Sequence, residues 1–162
     1  MKIRFFLLVA AAVGAVGLLA ALVLHPGHPP APRPLLRPDD TRVVMRGERL
    51  YQAHCASCHG ANLEGQADWR EPGADGLLPA PPHDQGGHTW HHPDELLLRI
   101  TKYGVAKAAG LPEHKSAMPA FEGVLSDEEI VAVLSWIKSK WPDAVREKHD
   151  KINAQYRAAQ RP

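Results

Sequence analysis

Only two cysteines occur in the chain, and they stand three apart in the run Cys55-Ala56-Ser57-Cys58-His59. Side chains three positions apart share one face of a helical turn. One such turn presents both thiols, with an imidazole directly after the second. Two thiols so placed can bond the two vinyl groups of a single haem, while the histidine meets the iron from the same side; C-x-x-C-H therefore reads as a covalent haem attachment site. Other chemistries share part of the pattern. A redox disulfide needs only C-x-x-C, usually at the start of a helix in a βαβ context, and that context is missing around residues 55–59. Zinc would take Cys55, Cys58 and His59 plus one further ligand. Two cysteines in all exclude a small scaffold stapled by several disulfides.

An iron with both axial positions filled needs a second ligand opposite His59. Of the three methionines, Met1 is the initiator and Met45 enters the haem motif from the wrong side, where packing is its expected role. Met118 remains, in Ser116-Ala117-Met118-Pro119-Ala120-Phe121, 59 residues beyond His59. A thioether is a soft neutral ligand that favours reduced iron and raises the reduction potential. His114 is the nearest histidine that would replace it. Four further histidines, His83, His88, His91 and His92, cluster with Trp90 in HDQGGHTWHH. They read either as a second metal site, copper for instance, or as the surroundings of the haem propionates and a polar helix start. Trp69, Arg70 and Trp90 carry N–H groups able to donate to those propionates.

These residues must be positioned by helices, for no run alternates in the manner of a strand. Residues 41–54 form a predicted helix with Val44, Gly47, Leu50 and Tyr51 on one face. A glycine inside a helix costs about 1 kcal/mol against alanine, and close approach of another helix is the usual reason for one. Residues 60–92 are rich in Gly, Pro, Asp and His and read as a long irregular loop, a length that points to function or to a ligand that organises it. A short helix is predicted from Pro93, its first helical residue, to the LLLRITKY run ending at Gly104. Residues 105–125 read as loop. The last helix is marked by a capping box, Ser126 with Glu129, and by the stripe Ile130, Val133, Leu134, Ile137 and Trp141 before Pro142. The class is all-α: three main helices with few large apolar residues, a set that buries too little alone to order two long loops. Residues 142–162 are a tail with a weak stripe (Val145, His149, Ile152, Tyr156, Ala159), predicted as a helix lying loosely on the domain.

The start of the chain is a different material. Lys2 and Arg4 precede 20 uncharged apolar residues, 5–24, which as a helix would reach roughly 30 Å, the thickness of a bilayer core. Residues 1–25 are thus predicted as a transmembrane anchor or export signal, the length favouring an anchor. Positive charge at the N-terminus alone places everything after Leu24 outside the cytoplasm. Residues 26–40 form a proline-rich linker, either polyproline II or a shapeless connector. Without Lys2 and Arg4 the 19 basic residues fall to 17, against 18 acidic ones. That balance argues against nucleic-acid binding, which draws on surplus cation.

From about residue 41 to 141 the chain resembles the class I cytochromes c, small monohaem electron carriers. The resemblance rests on CASCH, on Met118-Pro119 and on the flanking helices. It implies a cytochrome c fold in which Gly47 and Tyr51 of the first helix meet an aromatic of the last, matched by Trp136. It also implies that a loop proline carbonyl holds His59, with Pro79, Pro81 and Pro82 all eligible. The whole chain is similar to membrane-anchored bacterial members with an exported haem domain. The expected protein is an electron carrier, not an enzyme, with one covalent haem c. Its axial ligands would be His59 and Met118, it would sit on the periplasmic side of the inner membrane, and it would serve redox partners of a respiratory chain. The alternatives are a haem enzyme or sensor with a labile Met118, a subunit of a larger respiratory complex, and a copper-handling module using the histidine cluster.

Overall fold

Asp40 begins the first helix by accepting hydrogen bonds from the backbone N–H groups of Arg42 and Val43 (3.1 and 3.3 Å), which would otherwise be unpaired at a helix start. In the computed structural model, which describes residues 35–161, α1 runs Thr41–His54. Next come α2 (Ala56–His59), a 3-10 turn (Thr89–His91), α3 (Asp94–Tyr103), α4 (Val105–Ala109), α5 (Asp127–Ser139) and α6 (Asp143–Ala159). There is no strand among the described residues. Nor is any helix among them long and apolar enough to cross a membrane. The predicted span at residues 1–25 and the linker up to residue 34 lie outside the described residues.

The described residues belong to one compact unit, centred on the pairing of α1 with α5. α5 carries the capping box, with Ser126 N–H donating to Glu129 Oε2 and Glu129 N–H donating to Ser126 Oγ. Every residue from Ile130 to Lys138 is buried, so α5 is wrapped on all sides rather than on one stripe, as suits the central helix of a small core. Gly47 explains how closely α1 approaches it. A Cβ built at Gly47 would overlap the Ala132 carbonyl and stand 3.0 Å from Trp136 Cβ. Beside this crossing the wholly buried Tyr51 ring lies 4.5 Å from that of Trp136, tilted by 40°. Such aromatic pairs contribute about 1 kcal/mol beyond the area they bury.

Several elements differ from the sequence-based expectation. Pro93 is the N-cap of α3, its φ of −66° and ψ of 154° lying in the extended region, and not the first helical residue. The segment 105–125 contains the five-residue α4, whose last turn is held by Arg99 Nη2 donating to the Ala108 carbonyl at 2.8 Å. Residues 35–40 belong to the domain, not to a free linker. Leu36 is buried, its N–H donates to Asp94 Oδ2 (3.1 Å), and the Arg37 N–H donates to Ser135 Oγ (2.9 Å).

The tail is also more firmly held than its weak stripe implied. α6 spans 17 residues, and its His149 and Asn153 are buried completely or nearly so. Asn153 Oδ1 accepts from the Asp94 backbone N–H (2.8 Å), while its Nδ2 donates to Asp94 Oδ1 (2.9 Å). His149 Nε2 lies 3.0 Å from the His92 carbonyl and 3.5 Å from Asp94 Oδ1. Burial first, and the Lys138 ammonium second, hold the His149 pKa below the ordinary imidazole range, with Asp94, the His92 carbonyl and Asp150 pulling the other way. The unfolded chain therefore accepts a proton near pH ~6.5 that the folded chain resists. Stability from this group is complete above about pH 6.5 and falls as pH drops below it. The expected result is a lower denaturant midpoint at about pH 5.5 than at about pH 7.5, where carboxylates stay ionised, with the difference reduced in His149→Gln. An equal or higher midpoint at the acid pH would contradict it.

Candidate functional site

α1 ends where Cys55 leaves helical geometry (φ −123°, ψ −36°), and α2 is the single turn that carries the motif. The turn closes through Cys58 and His59 N–H groups donating to the Cys55 carbonyl (3.1 and 3.0 Å). Two anchors from α1 fix the chain just beyond the turn: Tyr51 Oη donates to the Gly60 carbonyl (2.8 Å) and Gln52 Nε2 to the Ala61 carbonyl (3.1 Å). Both thiols are free, Cys55 partly buried and Cys58 exposed. Burial and the neighbouring Cys58 push the Cys55 thiol up to about 11. A thiol-exchange motif does the opposite and lowers the pKa of its attacking cysteine. Cys55 thus departs from the pattern of a redox-exchange cysteine.

His59 is buried, and its Nδ1 lies 2.8 Å from the Pro81 carbonyl. A carbonyl can only accept, so Nδ1 carries the proton and Nε2 keeps its lone pair. Burial lowers the pKa of the ring despite that bond, which raises it. A neutral, oriented imidazole is what iron ligation asks of a histidine. Of the three eligible prolines, Pro81 is the one that holds the ring. Its segment is fixed by close backbone packing: a Cβ at Gly87 would overlap the Pro82 carbonyl, and one at Gly65 would overlap the peptide joining Pro81 and Pro82. The loop of residues 60–92 is ordered in the same way, by Gln66 N–H donating to the Ala80 carbonyl (2.9 Å) and His83 N–H to the Leu63 carbonyl (2.8 Å).

Met118 lies between α4 and α5, partly buried against the core, its N–H donating to Ser116 Oγ at 3.1 Å. Just beyond it, Phe121 and Glu122 N–H groups donate to the carbonyls of Thr101 and Lys102 at the end of α3. The buried Phe121 ring meets His54, the residue before Cys55, edge-on at 6.3 Å. The methionine loop and the cysteine turn are therefore joined through this contact. His114 is exposed in the same loop. Met45 is 53 % exposed, so the packing role expected for it is not found: its position on α1 faces solvent.

The histidine cluster does not converge. Among the described residues no group of three His, Cys, Asp or Glu side chains is placed to hold a metal ion. His88 stacks on Trp69 (5.5 Å, 16°) with His92 edge-on to it, and His91 lies against Trp90. Two of the three proposed propionate donors are engaged locally, Trp90 Nε1 with the Gln85 carbonyl (3.3 Å) and the Arg70 guanidinium above the Trp69 ring (4.1 Å). His83 stands apart. Its ring stacks on that of His59, with centroids 4.0 Å apart and planes 26° apart. Its Nδ1 is 2.7 Å from Thr89 Oγ1, and Trp141 Nε1 donates to its carbonyl at 2.7 Å. Neither Thr89 nor Trp141 was marked by the sequence as part of the site: the Trp141 contact spans 58 positions, and the Thr89 contact lies within an irregular loop that has no period to reveal it.

The donor set suits covalent haem: two free thiols on one turn, a neutral imidazole behind them with its outer nitrogen held, and a thioether on a loop tied to the same region. Compared with known proteins, residues 42–137 match the family model described as Cytochrome C oxidase, cbb3-type, subunit III. No curated protein and no solved structure gives a match.

Proposed function

Because this chain belongs to the family described as cytochrome c oxidase, cbb3-type, subunit III, and is a c-type cytochrome carrying covalent haem c, we propose that it is a one-electron carrier held at the periplasmic face of the inner membrane by residues 1–25. The observation that carries this reading is the Cys55–His59 turn, with His59 Nδ1 donating to the Pro81 carbonyl. Cys55 and Cys58 would anchor the group, and His59 and Met118 would ligate its iron. When bound, the haem supplies an iron that cycles between ferric and ferrous states. The polypeptide keeps His59 neutral and oriented, and with Met118 also bound the iron would have no position left open to small ligands.

Met118→Ala tests the ligand set. The expected result is loss of the weak sulfur-to-iron charge-transfer band of the ferric protein, together with rapid carbon monoxide binding by the reduced variant and not by the wild type. An unchanged band would refute Met118 as ligand, and rapid carbon monoxide binding by the wild type would favour a haem enzyme or sensor.

The family description favours a second reading, in which the carrier is a subunit of a respiratory oxidase complex. Recovery of oxidase subunits with the full chain from membranes in mild detergent supports that reading, and recovery of the chain alone supports the free carrier. Brief docking through a small interface is typical of the latter.

A further inference from the structure

A hydrogen bond at Nδ1 fixes one edge of an axial imidazole but leaves its plane free to rock about that bond. The His59 plane has a second constraint. Pro81 and His83, two residues apart on one loop, touch the same ring, Pro81 by its carbonyl at Nδ1 and His83 by its face, with centroids 4.0 Å apart. His83 is itself immobilised at three points: its N–H by the Leu63 carbonyl, its carbonyl by Trp141 Nε1, and its ring by the buried Thr89 hydroxyl. Tyr51 bounds it edge-on at 6.3 Å. An aliphatic side chain would fill this space without defining a plane. A ring in face contact, with one nitrogen tied down, does define it.

We infer that His83 is a positioning residue for the axial histidine, setting the plane of the His59 imidazole through the Thr89–His83–His59 stack. This rests on the reading that His59 ligates haem iron. The plane of an axial imidazole matters because it decides which iron d orbital holds the unpaired electron of the ferric state, and so how unequally spin reaches the four haem methyl groups. A fixed plane spreads their proton resonances, whereas a rocking plane averages them. The same orbital splitting contributes to the reduction potential.

The test uses the haem-loaded full chain. Wild type, His83→Leu and Thr89→Val are compared by proton NMR of the ferric state, with thermal unfolding recorded alongside. The expected result is a compressed spread of the methyl resonances in His83→Leu and a smaller compression in Thr89→Val, with the Met118 charge-transfer band retained. A merely structural role would lower the unfolding temperature and leave the methyl pattern in place, and that outcome would overturn the inference. Should His83→Leu fail to load haem, Thr89→Val decides alone, since it removes one hydroxyl from a site that keeps its shape. Absence of haem from the wild type would instead overturn the function beneath the inference, a failure visible before any variant is compared.

Discussion

Replacing Cys55 and Cys58 together by alanine is expected to abolish covalent haem completely, while each single replacement leaves one thioether. Alanine suits the helical turn at the exposed Cys58, and the partly buried Cys55, which precedes that turn, makes no side-chain capping bond that alanine would remove. The turn is also held by backbone bonds to the Cys55 carbonyl and by the Tyr51 hydroxyl, none of which uses a sulfur. The change is therefore aimed at the two anchors and not at the local fold. Denaturing extraction followed by intact mass should show a bare polypeptide for the double variant. Haem that survives denaturation in the double variant would mean that another residue holds it.

Gly47→Val is expected to cost about 3 kcal/mol or more, the upper part of the range for overpacked cores. Two effects of opposite sign meet at this position. On helix propensity alone, Gly47→Ala should stabilise α1 by about 1 kcal/mol. Yet a Cβ here would overlap a backbone carbonyl of α5, which cannot rotate aside as a flexible side chain can. α1 and α5 would have to separate, parting the Tyr51 and Trp136 rings that meet beside the crossing. Both substitutions should thus destabilise, valine more than alanine, as read from denaturant midpoints of the haem-loaded protein. A stabilised Gly47→Ala would contradict the close crossing.

What the sequence made legible is what is local. α1 could be bounded because its stripe and cysteine turn are contiguous, and α5 because Ser126 and Glu129 close a box three residues apart. Gly47 stood out as a cost in need of a cause. The site was legible to the same extent: one turn carries two cysteines and a histidine. What stayed hidden depends on contacts outside any regular spacing, some within the irregular loop and others between residues far apart in the chain. Choosing Pro81 among three prolines requires knowing that Gly65 and Gly87 press on the Pro81–Pro82 backbone. The role of His83 requires Thr89, Trp141 and Leu63 around it. α6 was undervalued because the residues that bury it most deeply, His149 and Asn153, are polar, and an apolar stripe does not count them. Their value comes from Asp94, 59 positions before Asn153. α4 has too few residues to show a period.

The central claim, a single haem that exchanges one electron with both axial positions filled, is tested most directly by a reductive titration of the native full chain followed in the visible spectrum. One reversible one-electron transition per polypeptide is expected, with a reduced spectrum that carbon monoxide leaves unchanged. A chain with no visible absorption, or one whose reduced spectrum shifts at once under carbon monoxide, would contradict it.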